Sequence, residues 1–207
     1  MQTPSPDCQR CPRLAAFREE QQGAFPGWFN APVPSFGPKD AQLLVVGLAP
    51  GLRGANRTGR PFTGDHAGDL LYATLLETGL AAGVYGADPA DGLQLVNCRV
   101  TNAVRCLPPQ NKPVSAEITN CRPFLLAELM GLPRLRVVLA LGRIAHDSLL
   151  RALGARLADY PFAHGAVHEV DGLTIADSYH CSRYNTQTGR LTGAMFRAVL
   201  LKTKALL

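Results

Sequence analysis

The sequence contains no uninterrupted apolar run of about 18 residues, the minimum for a membrane-spanning helix, so no membrane partner is expected. Its first stretch, Met1–Arg18, lacks the basic, apolar and small-residue zones of a secretory leader, and a cytoplasmic location is the expectation. Neither G-x-x-x-x-G-K-[ST] nor G-x-G-x-x-G occurs, which excludes a phosphate-binding loop and a dinucleotide fingerprint of those types. Internal repeats and low-complexity tracts are missing too, and disorder is not expected apart from termini and loops. Charged residues are only 18% of the chain, against 46% hydrophobic, which is a globular balance.

What is present suits one domain spanning residues 1–207, long enough to bury a sizeable core, and a monomer is expected. The formal net charge is +5, a modest basic excess compatible with a polyanionic partner but shared by many unrelated proteins. Six cysteines in a reducing compartment read as thiols or metal ligands rather than disulfides.

Apolar patterning gives strands at Gln42–Gly47, Gln94–Asn97 (with Val100–Val104 as a candidate extension), Arg136–Leu141 and Leu173–Ala176. Helical spacing covers Gly68–Leu80, Ser115–Met130 with Ser115 as the N-cap, Ile144–Leu153 and Leu191–Leu206. Gly23–Lys39, Leu48–Asp65 and His180–Gly189 read as loops. Strands alternating with helices imply an α/β fold with a parallel sheet covered on both faces. Sites in such sheets form at the carboxyl ends of strands, where the segments after Val46, Val96 and Ala176 all lie.

Cys8-x2-Cys11 lets two thiolates reach one metal from a single turn, and Cys106 and Cys121 make a natural second half. Four such cysteines suit a tetrahedral zinc site as well as an iron–sulfur cluster, and the spacing does not separate the two. Cys98 and Cys181 have no partner at metal spacing and read as small structural residues.

The stretch Val46–Gly68, V-G-L-A-P-G-L-R-G-A-N-R-T-G-R-P-F-T-G-D-H-A-G, resembles the first active-site motif of the iron–sulfur uracil-DNA glycosylases, in particular the broad-specificity branch called family five. Val100–Cys121, beginning V-T-N-A-V-R-C-L-P-P-Q-N-K-P, looks like that family's middle segment. His180–Thr192, H-C-S-R-Y-N-T-Q-T-G-R-L-T, is similar to its second motif. The resemblance implies a three-layer sandwich around a mainly parallel four-stranded sheet, and a 4Fe–4S cluster held by Cys8, Cys11, Cys106 and Cys121. It further implies excision of uracil, and of other deaminated bases such as hypoxanthine and xanthine, from DNA. Leu48 stands where the uracil-restricted family four carries a carboxylate, and Cys181 stands where family five often has Pro or Val.

Hydrolysing an N-glycosidic bond creates a cationic sugar and an anionic base, so it needs a donor at the base, negative charge near the sugar and a positioned water. The base must first leave the duplex. His180 is the candidate donor, otherwise a surface histidine in a polar loop. Asp65 is the candidate carboxylate; the structural alternative is a helix N-cap, and one side chain can do both jobs. Gly47, Ala49, Phe62 and Asn102 are the candidate base contacts: backbone without obstruction, a stacking ring, and an amide able to read a pyrimidine edge. Their structural alternatives are a core Phe and a turn-bracing Asn. Arg53, Arg57, Arg60, Arg183, Tyr184 and Asn185, with Lys112 and Arg190, are candidate DNA contacts, each otherwise a solvated surface group.

Overall fold

The computed structural model describes residues 2–207. Its centre is a parallel sheet built from β1 (Leu43–Gly47), β4 (Cys98–Asn102), β5 (Val137–Leu141) and β7 (Leu173–Ser178). A fifth strand, β6 (Val167–Val170), pairs antiparallel with β7, giving the order β4-β1-β5-β7-β6. The sheet therefore has five strands, not the expected four. The extra strand is the first arm of a hairpin whose turn is Asp171-Gly172, both at positive φ (49° and 78°). Such a two-residue Asp-Gly turn matches the twist of the flanking strands.

The central strands β1 and β5 are buried on both faces along their whole length, which explains their unbroken apolar runs. Along β1, Leu43 and Val45 face one core with Leu71, Leu75 and Phe196, while Leu44 and Val46 face another with Leu125, Leu149 and Leu150. The first core is covered by α3 (His66–Glu77) and α7 (Gly193–Lys204), the second by α4 (Ser115–Met130) and α5 (Arg143–Ala152). Three layers result.

Other departures from the sequence reading have local causes. The strand read at Gln94–Asn97 is only a short β3 (Gln94–Leu95), paired antiparallel with β2 (Ala81–Ala82). Asn97, at φ 50°, breaks the chain direction there, and its side chain binds Gln42 through both amide atoms. The central strand starts one residue later. The N-cap of α4 is Val114, not Ser115, and Glu117 accepts a hydrogen bond from the Val114 N–H at 2.8 Å. Glu117 also pairs with Arg13 of α1 (Pro12–Ala24), a helix with no apolar stripe long enough to announce it. Two short helices, α2 (Ala55–Thr58) and α6 (Arg183–Gln187), lie inside segments read as loops. No helix among the described residues is long and apolar enough to cross a membrane.

Candidate active site

The carboxyl ends of β1, β4 and β7 open into one cavity of about 340 Å³, lined by Leu48, Ala49, Phe62, Asp65, Asn102 and His180 among others. Adjacent strand register places Gly47 beside Asn102. A Cβ on Gly47 would press into the Phe62 ring and approach Asn102 Oδ1 to 2.5 Å. Glycine there lets the ring and the amide meet across the end of β1. Asn102 is buried, and its Oδ1 has no hydrogen-bond partner. Buried amide oxygens are normally paired, so this one is set aside for something the protein does not itself supply.

Phe62 sits at φ 54°, an unfavourable conformation for a bulky residue, and is held there from both sides. Tyr85 donates to its carbonyl at 3.3 Å, and Gly68 leaves room for that carbonyl where any Cβ would collide with it. The Phe62 ring stacks on His180 with centroids 6.0 Å apart and planes 29° from parallel.

Asp65 is both the cap and a pocket wall, so the two readings of it coexist. Its Oδ1 accepts from the Gly68 N–H at 3.0 Å as the N-cap of α3. Its Oδ2 lies against Gly51 and Gly54, where a Cβ at Gly54 would overlap it. Burial raises its pKa above the usual aspartate value, although the Gly68 N–H opposes that shift.

His180 follows β7 and is fixed by its own loop. Asn185 donates to the His180 carbonyl at 2.8 Å, and Ser182 caps α6. Cys181 is fully buried against Ala67, and His66 reaches Thr186 at 2.9 Å, tying this loop to the start of α3. Desolvation lowers the pKa of His180 to about 4, so the ring is neutral near pH 7.

The other candidate residues divide. Arg53, Arg57, Arg183 and Tyr184 are exposed on the two loops that form the pocket, and Lys112 and Arg190 are exposed as well. Asn185 turns inward to brace His180. Arg60 is not available to a phosphate. Its guanidinium is buried, bidentate to Asp91 at 2.8 and 2.6 Å, and stacked over Phe36, Tyr72 and Tyr85. Asn111 joins the pocket lining from the loop before α4. The sequence reading missed it; its only signal was a polar residue in a Pro-rich turn, here at φ 57°.

A model of the uracil DNA glycosylase superfamily matches residues 34–204. A type-5 uracil-DNA glycosylase of Thermus thermophilus is 49% identical over 205 residues, covering 96% of this chain and 93% of the relative. Its namesake from Mycobacterium bovis is 44% identical over 209 residues, covering 96% and 78%. A type-4 uracil-DNA glycosylase of Pyrobaculum aerophilum is 32% identical over 151 residues, covering 72% and 63%.

The chain belongs to the uracil-DNA glycosylase superfamily.

Membership makes it a hydrolase of N-glycosidic bonds. Outside the cavity at the strand ends, Cys8, Cys11, Cys106 and Cys121 line a small shared cavity walled by Leu14, Val104 and Phe124. None of the six cysteines is in a disulfide, and Cys98 and Cys181 are core residues. The Arg105 N–H points at Cys121 Sγ, 3.4 Å away. Converging thiols, apolar walls and a backbone donor to sulfur fit a sulfur-ligated metal group.

Proposed function

We propose that this glycosylase removes uracil from DNA and also accepts hypoxanthine and xanthine, leaving abasic sites. The observation that carries the reading is the unpartnered Asn102 Oδ1 at the floor of a pocket that also contains Asp65, Phe62 and His180. Deaminated bases share a ring N–H beside a carbonyl, and that N–H can donate to Asn102. Cytosine and adenine present a lone pair at the corresponding ring nitrogen, which an amide oxygen repels. Leu48, Ala49 and Phe62 supply apolar surface without size-selective polar contacts, which suits purines as well as pyrimidines.

In this reading the extruded base lies against Phe62. Neutral His180 donates to the base oxygen as negative charge grows on the departing ring. Asp65 faces the sugar side, where its carboxylate stabilises the oxocarbenium-like cation or holds the attacking water. Arg53, Arg57 and Arg183 neutralise backbone phosphates around the mouth.

A 4Fe–4S cluster on Cys8, Cys11, Cys106 and Cys121 belongs to the same reading. No three of these sulfurs lie within 4.8 Å of one another. Tetrahedral zinc–sulfur bonds would bring them to about 3.8 Å, so the more open spacing favours a cluster over a single zinc. When bound, the cluster supplies a cross-link between the start of α1, the segment after β4 and α4. Base hydrolysis itself is redox-neutral.

The test is incubation of the purified protein with DNA duplexes bearing a single uracil, hypoxanthine or xanthine, followed by alkali. Strand cleavage at all three supports the reading. Cleavage at uracil alone restricts the enzyme to that base, and cleavage at none rejects the assignment.

A further inference from the structure

A second group of ligating side chains lies outside the base pocket and the cysteine cavity. Asp177 on β7, His146 on α5 and His168 on β6 bring one ligand atom each to within 4.8 Å of one another. Asp177 is fully buried. Its Oδ1 is 2.8 Å from His146 Nδ1, and its Oδ2 is 3.6 Å from His168 Nε2. The longer separation is too great for a hydrogen bond. Asp177 Oδ2 and His168 Nε2 are accordingly both buried and unpartnered. Leaving a buried carboxylate oxygen and an imidazole nitrogen unsatisfied side by side is costly unless something binds between them.

The far side of His146 is arranged for the same purpose. Its Nε2 lies 2.8 Å from the Tyr160 carbonyl. A carbonyl only accepts, so Nε2 carries a hydrogen, and the 2.8 Å contact with the Asp177 carboxylate needs one on Nδ1 as well; an ion bound at Nδ1 would take that proton's place. Metal-bound histidines are typically oriented by such a bond from the other ring nitrogen. Phe162 packs edge-on against His146 at 5.6 Å, and Tyr160 against His168 at 5.8 Å, enclosing the group in aromatic walls.

We propose that His146, His168 and Asp177 form a binding site for a divalent transition ion of the zinc class, separate from the four cysteines. Two imidazole nitrogens with one carboxylate oxygen suit zinc and its neighbours. The set has too few oxygens for magnesium or calcium and no thiolate for copper(I). Zinc bonds of ordinary length place tetrahedral ligand atoms about 3.3 Å apart. The two imidazoles approach different oxygens of Asp177, at 2.8 and 3.6 Å, so the carboxylate or a ring must turn for all three groups to share one ion. A fourth position remains for water. His168, on the edge strand, has a side chain 14% exposed and marks the way in. A bound ion would join α5, β6 and β7 at the base of the loop that carries His180, three residues beyond Asp177. Its role is to stiffen that end of the sheet.

The probe is zinc ion added to the purified protein, read by zinc K-edge X-ray absorption and by thermal melting. We expect a shell of nitrogen and oxygen without sulfur, and a melting temperature that rises and saturates at one equivalent. His168→Ala, at a partly exposed edge position, should abolish the thermal shift and weaken binding by about 100-fold. Asp177→Asn should do the same, and His168→Gln is the substitute should the alanine variant fold poorly. Sulfur in the shell, absence of binding, or a nitrogen–oxygen shell that survives these substitutions would each overturn the proposal. None of these readouts depends on base excision, so they stand or fall apart from the glycosylase reading.

Discussion

Asn102 concentrates the conflict between stability and use in this fold. A buried acceptor without a partner costs about 1–3 kcal/mol, so evolution towards stability alone would remove it. Asn102→Leu, of similar shape, should therefore leave the denaturation midpoint unchanged or higher while uracil excision falls by about 10-fold or more, the scale of a lost hydrogen bond to a bound group. Parallel urea titrations and single-turnover assays check both halves. His180 makes a second demand. Its folded pKa of about 4 lies below its ordinary value of 6.5. Between those values the unfolded chain binds the proton more readily, so stability attributable to this group falls as pH drops from 6.5 towards 4. Acidification from pH 7 to 5 should thus lower the melting temperature of the parent more than that of His180→Gln. Excision, relying on the neutral ring, should show no inflection near pH 6.5. Equal acid sensitivity of the two proteins would show that His180 is not desolvated as described.

At the scale of elements, the loop from Gly47 to Asp65 is held in place mainly by residues that never touch the pocket. Arg60 anchors its far end to Asp91, and removing one partner of a buried pair strands the other. Arg60→Ala should destabilise the protein by about 2–4 kcal/mol, yet leave the salt dependence of DNA binding intact. Arg57→Ala, at an exposed position, should do the reverse: little effect on stability, and a salt slope reduced by about 1. Denaturation curves and binding isotherms across a salt series distinguish them. The contrast also marks what was legible in the sequence. The apolar runs that became β1 and β5 could be read because burial on both faces leaves no polar residue to interrupt them. Arg60 could not be assigned, since an arginine in a loop looks the same whether its partner is a phosphate or Asp91, 31 residues away. Asp171-Gly172 is a hairpin-turn signal, but the strand it adds, Val-His-Glu-Val, has polar residues at its two middle positions and shows no apolar run. The site residues Asp65, Asn102 and His180 were found through motif resemblance. Their meeting in one cavity at the carboxyl ends of β1, β4 and β7 required the folded chain.

Across the whole molecule, the segment that ends β4 links two chemically unlike places. Asn102 faces the base pocket, and four residues later Cys106 faces the cysteine cavity. The proposed cluster would therefore secure the strand end that carries Asn102, the proposed base contact. Anaerobically purified protein should be brown and carry about four iron atoms per chain. Colourless protein with stoichiometric zinc on sulfur would replace the cluster by a zinc site. Loss of the metal group should lower thermal stability more than Arg57→Ala does, because three separate segments lose their common anchor. In the proposed mechanism, Asp65 and His180 share one reaction from opposite sides of the base. Single-turnover excision of uracil, hypoxanthine and xanthine by the parent, Asp65→Asn and His180→Ala tests it directly. Each substitution should slow uracil excision by roughly 10²-fold or more with DNA affinity little changed. The loss in His180→Ala should grow as the leaving base becomes poorer, whereas that in Asp65→Asn should be similar for all three. Near-parental rates for Asp65→Asn on every base would contradict the account and leave Asp65 as a helix cap alone.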